Sequence, residues 1–234
     1  MSAGPILRSR RSTKCTDSDD LEVLATIGRT MTFRTEQEKF WTGEFGTEYT
    51  GRNQGEHIVA SNVALFGRIL RAAPHVRSIV ELGCNIGLNL QALHRINPRF
   101  ELRGHEINAT AARAARELAI AEIVEGTILD ELAAGRTFDL AFTKTVLIHI
   151  NPDELNRVYD NLHALSARYI LVCEYYNPSP MVVNYRGNDD RLFKRDFAGE
   201  IMDRFGLRLV DYGFTYHRDN YFPQDDVTWF LMEK

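Results

Sequence analysis

The chain has 234 residues, 44% of them hydrophobic, with 28 Lys and Arg against 32 Asp and Glu and a net charge of −4. That suffices for one good core, and it lacks the basic excess that binding along a nucleic-acid backbone requires. No run of about 18 apolar residues occurs, so no membrane span is expected, and Cys15, Cys84 and Cys173 form no CxxC pair or evident disulfide framework, which predicts free thiols in a reducing, cytoplasmic compartment.

Residues 1–20 are polar, charged and rich in Ser and Thr. Arg8, Arg10 and Arg11 have no apolar stretch behind them, so the segment reads as a mobile tail and not as a secretory signal. Residues 21–75 read as an N-terminal helical segment. It comprises a short helix over Leu21–Thr30, a helix over Glu36–Trp41, an aromatic and charged stretch broken by glycines (Gly43–Asn53), and an amphipathic helix over Asn62–Leu70 with Val63, Phe66 and Leu70 at helical spacing.

From residue 76 to residue 234 strands and helices alternate. Strands are predicted at Ser78–Leu82, Phe100–Ile107, Ala121–Glu125, Phe138–Thr143 and Tyr169–Glu174. Helices are predicted at Leu88–Ile96, closed by Asn97-Pro98, at Ala109–Leu118, at Pro152–Leu165 with Pro in its first turn, and within Leu192–Phe205. Two final strands, Leu207–Phe214 and Val227–Glu233, read as antiparallel neighbours. This order predicts an α/β, Rossmann-like domain with a mostly parallel sheet and helices on both faces. The connection Asn177–Arg191 reads as a long loop, of the kind that is usually functional in a compact domain.

The most informative stretch is Ser78–Gly87, Ser-Ile-Val-Glu-Leu-Gly-Cys-Asn-Ile-Gly. A strand, a Gly-containing turn and a helix start together form a nucleotide-type site. The dinucleotide fingerprint G-x-G-x-x-G is broken by Asn85 and Leu88. What remains, Glu-Leu-Gly-x-x-x-Gly, resembles the first motif of class I S-adenosylmethionine-dependent methyltransferases, acidic-x-Gly-x-Gly-x-Gly, with Asn85 in the middle position. Asn tolerates left-handed backbone, so the turn survives the change. The alternative is a plain strand–turn–helix connection. Glu106 ends the second strand about 20 positions beyond the turn, where a carboxylate grips a ribose diol; the alternative is that it caps the following helix.

Longer phrases carry a closer resemblance. They are Glu38–Tyr49, Arg52-Asn53-Gln54, Glu81–Leu90, Val146–Pro152, Glu174–Pro180, Tyr185-Arg186-Gly187, Leu192–Glu200 and Asp211–Phe214. Together they resemble the pseudaminic acid biosynthesis-associated methylase family, from about Thr35 to the C-terminus. The resemblance implies the seven-stranded class I methyltransferase sheet and S-adenosylmethionine as cofactor. It also implies a small-molecule acceptor: a sugar, sugar nucleotide or nonulosonic acid precursor of a surface glycan, hence an acidic carbohydrate. A protein acceptor, or a non-catalytic cofactor-binding subunit, are the alternatives.

Cofactor roles follow from that resemblance. Glu81, Gly83, Asn85 and Gly87 form the turn around the methionine and ribose portions, Glu106 holds the ribose diol and Ile107 packs on the adenine. Thr127 and Ile128 lie beside the adenine edge, where the usual acidic residue is absent. Lys144 stands at the methionine end, and Tyr49 and Arg52 close over the site. Trp41, Phe45 and Tyr49 read equally as a hydrophobic lid. For acceptor chemistry, His149 is the first candidate base, or a packing histidine, with His217 ranked below it. Tyr176, with Glu174 and Tyr175, ends the fifth strand at the same edge. Arg186, with Lys194 or Arg195, suits an acidic acceptor or forms a solvated charged face. No metal site is expected, and Asp225-Asp226 reads as a solvated turn.

Overall fold

The carboxyl ends of the first and fourth strands, where the chain reverses the direction in which it lays down its sheet, set the position of everything that follows. The computed structural model describes residues 1, 33–52, 55–132, 135–185 and 188–234. The chain divides into Met1–Phe33 and Arg34–Lys234, and the fold is that of the second unit. The helix expected at Leu21–Thr30 and the tail before it lie outside the described residues.

Three helices come first: α1 (Glu36–Thr42), α2 (Glu44–Arg52) and α3 (Glu56–Leu70). The alternating part follows as β1 (Ser78–Leu82), α4 (Leu88–Ile96), β2 (Glu101–Glu106), α5 (Ala109–Glu117), β3 (Glu122–Glu125), β4 (Phe138–Lys144), α6 (Leu155–Leu165) and β5 (Ser166–Glu174). It continues as β6 (Met181–Tyr185), β7 (Asn188–Lys194), α7 (Phe197–Phe205), β8 (Arg208–Phe214) and β9 (Thr228–Glu233). Local chemistry explains the helix starts. Thr35 and Glu38 form a reciprocal capping box on α1, Asn108 caps α5 by accepting from Thr110 and Ala111, and Asp196 caps α7.

The main sheet has seven strands in the order β3-β2-β1-β4-β5-β9-β8. Pairings among β1 to β5 are parallel, and β9 runs antiparallel to both β5 and β8. The chain moves outward from β1 to β3 and then returns to place β4 on the other side of β1, so a crevice opens between the loops that leave β1 and β4. Strand alternation feeds two cores. Ile79, Leu140, Phe142, Leu171 and Trp229 pack under α3 and α4, while Val80, Leu82, Ala141, Ile170 and Val172 pack under α6 and α7. Among the described residues no helix is long and apolar enough to cross a membrane.

One expectation is corrected. The stretch read as a long loop, Asn177–Arg191, contains most of an antiparallel hairpin of β6 and β7 with Val182 opposite Phe193 and Val183 opposite Leu192. Leu192 to Lys194 therefore belong to a strand, and the helix expected within Leu192–Phe205 is α7, which starts after its cap, Asp196. Leu192 is buried against Leu147 and Ile148, in the turn after β4, which gives the hairpin its packing.

Candidate active site

The turn after β1 is built from left-handed backbone at Gly83 (φ 80°), Asn85 (φ 48°) and Gly87 (φ 80°). At Gly83 the space matters as much as the dihedral, because a Cβ there would stand 2.6 Å from Val146 Cγ2. Asn85 serves in the middle position because its own Oδ1 accepts the Ile86 N–H at 2.7 Å. The N–H groups of Gly83 and Cys84 both donate to the His105 carbonyl at 2.9 Å, which ties the turn to the end of β2.

Glu106 completes that tie. Its Oε2 accepts the Asn85 N–H at 2.7 Å and its Oε1 accepts the Asn108 N–H at 2.8 Å. Burial raises its pKa, opposed by the N–H groups of Asn108, Asn85 and Ile107. Glu106 is not the cap of α5; Asn108 is, so the capping alternative fails. A carboxylate offers about four acceptor sites, so these bonds do not saturate it.

Glu81 lies behind the turn with no exposed surface. Its Oε1 accepts from Asn89 Nδ2 at 2.6 Å, and its Oε2 has no hydrogen-bond partner. Burial pushes its pKa up to about 8, against the pull of the Asn89 bond and the Lys144 charge.

A cavity of about 510 Å³ lies over this turn. Its floor is Gly83, Cys84, Asn85 and Glu106, followed by Ile107; one side is Thr127, Ile128 and Leu129, and another is Lys144, Val146 and His149. Tyr49 and Trp41 stand over it from α2 and α1. Their rings lie 5.3 Å apart edge to face, Trp41 meets Phe45 at 5.5 Å, and His149 lies 4.7 Å from Trp41. The far wall is His57, Ile58 and Asn62 of α3 with His217, Pro223, Gln224 and Asp225 from the β8–β9 connection.

Buried and partly buried groups hold the cavity walls. Glu174 Oε1 accepts the N–H groups of Val146 and Leu147 at 2.9 and 3.0 Å and the Thr143 hydroxyl at 3.3 Å. Burial raises its pKa to about 7. Asn161 donates to the carbonyls of Ile128 at 2.9 Å and Asp130 at 2.6 Å, and accepts the Leu132 N–H at 3.1 Å. The Thr127 hydroxyl bonds the Glu38 carboxylate, joining α1 to the loop after β3.

Of the residues singled out from sequence, Tyr49, Gly83, Asn85, Glu106, Ile107, Thr127, Ile128, Lys144 and His149 meet at this cavity. Gly87 starts α4 beside it. The structure does not bring Tyr176 there. The residue is 44% exposed, its ring packs at 5.8 Å on Phe230 of β9, and it borders a small separate hollow with Glu174 and Arg195. Glu174 anchors the turn after β4 and does not line the cavity. Arg195 is paired with Glu200 at 2.7 Å, Lys194 stands 5.0 Å over the Tyr175 ring, and Asp196 is a helix cap. The Arg52 side chain and Arg186 lie outside the described residues. Among the described residues no cluster of three or more His, Cys, Asp or Glu is arranged to hold a metal ion.

Sequence reasoning missed Asn62, Asn89, Gln224, Glu38 and Asn161. Asn62 gave a signal: it sits on the buried stripe of α3, three residues after Val59 and four before Phe66. Gln224 gave none, since its partner Ser61 is 163 positions away.

No protein-family model matches the chain, and no curated protein matches it in sequence. Solved structures do. Magnesium protoporphyrin IX methyltransferase (ChlM) from Synechocystis PCC 6803 with bound SAH superposes with a TM-score of 0.61 at 14% identity, over 86% of this chain and 100% of that one. The plantazolicin methyltransferase BpumL in complex with SAH gives 0.61 at 13% identity, over 85% and 93%. DesVI from Streptomyces venezuelae gives 0.57 at 15%, over 80% and 95%. The fold is that of the class I methyltransferases. At these identities the likeness establishes the methyltransferase fold, as the motif resemblance implied, and the pseudaminic acid family stays a resemblance in short phrases.

Proposed function

We propose that the chain is an S-adenosylmethionine-dependent methyltransferase acting on a small carbohydrate-type acceptor, a sugar, sugar nucleotide or nonulosonic acid precursor of a surface glycan. One observation carries the reading. A buried carboxylate, Glu106, stands in the wall of a cavity of about 510 Å³, bonded to the left-handed turn after β1, in a fold whose solved neighbours hold SAM or SAH. The residues fit this cofactor. The remaining acceptor capacity of Glu106 suits a ribose diol, Ile107, Ile128 and Leu129 offer apolar surface for an adenine, and Val146 over Gly83 leaves room only for bare backbone at the turn.

When bound, S-adenosylmethionine supplies a methyl group on a sulfonium. The chain's own work is to position, to exclude water and to manage a proton. Positioning alone supplies roughly 7–11 kcal/mol of such a barrier. Lys144 and the Asn89–Glu81 pair stand at the methionine end of the proposed pose. Trp41 and Tyr49 exclude water from above, and His149, packed against Trp41, lines the cavity wall beside them. The acidic-carbohydrate reading rests on Arg186, beyond the described residues; the described wall offers Lys144 and three histidines as its basic groups. The buried free thiols Cys84 and Cys173 suit a reducing cytoplasm.

Calorimetry with S-adenosylmethionine and SAH tests the first half of the reading. Transfer of labelled methyl to a panel of sugar nucleotides, nonulosonic acids and proteins tests the second. A chain that binds neither cofactor form would refute the proposal.

A further inference from the structure

The far wall of the cavity contains buried acceptor atoms with nothing to accept. Asn62 is 1% exposed and its Oδ1 has no hydrogen-bond partner. Gln224 Nε2 donates to the Ser61 carbonyl at 2.8 Å, and a carbonyl only accepts, so the amide's orientation is fixed and its Oε1 is the free end. That oxygen too is buried and partnerless. Both residues line the cavity. Leaving such atoms unpaired costs about 1–3 kcal/mol each, a cost that a ligand's own donors would remove once a small movement of the wall uncovers the two oxygens.

His217 lines the same wall, on the connection that carries Gln224. Its Nδ1 lies 2.8 Å from both carboxylate oxygens of Asp226, and its backbone N–H donates to Asp226 Oδ1 at 2.9 Å. A carboxylate accepts only, so a neutral His217 carries its proton on Nδ1 and its lone pair on Nε2. The connection is itself fastened, with Thr215 Oγ1 donating to the Asp225 carbonyl at 2.7 Å and Thr215 N–H to the Val227 carbonyl at 2.9 Å. His149 differs: its ring lies against Trp41, in the aromatic wall.

Resting on the methyltransferase reading, we propose that this wall binds a polyhydroxylated acceptor through Asn62 and Gln224, and that His217, oriented by Asp226, is the base for the hydroxyl that is methylated. His217 Nε2 takes the hydroxyl proton while the oxygen's electron pair forms the bond to the methyl carbon and the carbon–sulfur pair returns to sulfur. Positive charge thereby moves from sulfonium to imidazolium, and the imidazolium then releases its proton to solvent. His217 is the catalytic residue and Asp226 a positioning residue.

Three measurements on the full chain test this. Histidine ¹⁵N spectra read the tautomer, calorimetry reads S-adenosylmethionine affinity, and labelled methyl transfer is followed with a panel of nucleotide sugars, free sugars and amino sugars. The wild type should show His217 with its proton on Nδ1, and Asp226→Asn should disturb that signal. His217→Gln should lower kcat about 100-fold or more with cofactor affinity within about twofold. Gln224→Ala should raise the acceptor KM about tenfold with kcat within about threefold. The proposal is overturned if His217 carries its proton on Nε2, if His217→Gln keeps kcat within about threefold, or if an enzyme that binds cofactor methylates no hydroxyl in the panel. Those results leave the methyltransferase reading standing, whereas a wild type that fails to bind S-adenosylmethionine removes both.

Discussion

Glu81 couples the stability of this fold to pH, and the size of the coupling follows from its surroundings. Its carboxyl is fully buried, one oxygen is without a partner, and its pKa is pushed from the ordinary 4.5 to about 8. A carboxyl with a raised folded pKa binds its proton more tightly in the folded chain than in the unfolded one. Its contribution to stability is therefore full below about pH 4.5 and is lost as pH rises from about 4.5 to about 8. With about 1.36 kcal/mol per pKa unit, the loss between about pH 6 and about pH 9 comes to about 3 kcal/mol. Glu174, raised to about 7 by burial, contributes roughly half as much over the same interval. Glu81→Gln keeps an oxygen for the Asn89 amide and removes the titration. Urea unfolding followed by tryptophan fluorescence at the two pH values should show the wild type losing about 3 kcal/mol more than the variant. Equal losses in the two proteins would refute the reasoning, because the buried carboxyl would then not titrate in this window.

Other substitutions separate the two ties of the floor from the walls. Glu106→Ala removes the acceptor of the Asn85 and Asn108 N–H groups; SAH affinity by calorimetry should fall at least about tenfold, at about 1.5–3 kcal/mol per bond to a charged group. Gly83→Ala places a Cβ 2.6 Å from Val146 in left-handed backbone, and should cost at least about 1–2 kcal/mol in chemical denaturation while weakening SAH binding. Asn161→Ala strips three hydrogen bonds from the loop after β3; a loss of about 2–4 kcal/mol is expected, with lower SAH affinity because Ile128 and Leu129 line the cavity.

The half of the site built from local chemistry was legible in the sequence. Ser78–Leu82 and Leu88–Ile96 have the bounds read from their apolar runs and glycines, because each is punctuated by its own residues. The β6–β7 hairpin was hidden by its polar Asn188–Arg191 stretch, whose strand form is set by pairing with β6 and by Leu192 packing on the turn after β4. Glu174 was misread because its place at a strand end says nothing of which group its carboxylate meets, and it meets the N–H groups of Val146 and Leu147. The far wall was least legible, since it depends on Gln224 reaching Ser61 across 163 positions.

The walls differ in how they are held, and that difference bears on how specificity is set. Glu106, Glu174 and Asn161 are buried, and each ties together at least two segments on the cofactor side. A change at any of them disturbs the fold and the cofactor site together. On the far side, Gln224 spans from the β8–β9 connection to α3 by a hydrogen bond to Ser61, and the His217–Asp226 pair is about half exposed. Substitutions there cost the core little, because exposed pairs contribute at most about 1 kcal/mol to stability. On the proposed reading, the β8–β9 part of the acceptor wall is thus free to vary over a fixed cofactor half. Exchanging residues 215–226 for a connection of different polarity should change which acceptor is methylated and leave SAH affinity within about twofold. Loss of SAH binding in a folded exchange variant would show instead that the two halves are one cooperative unit.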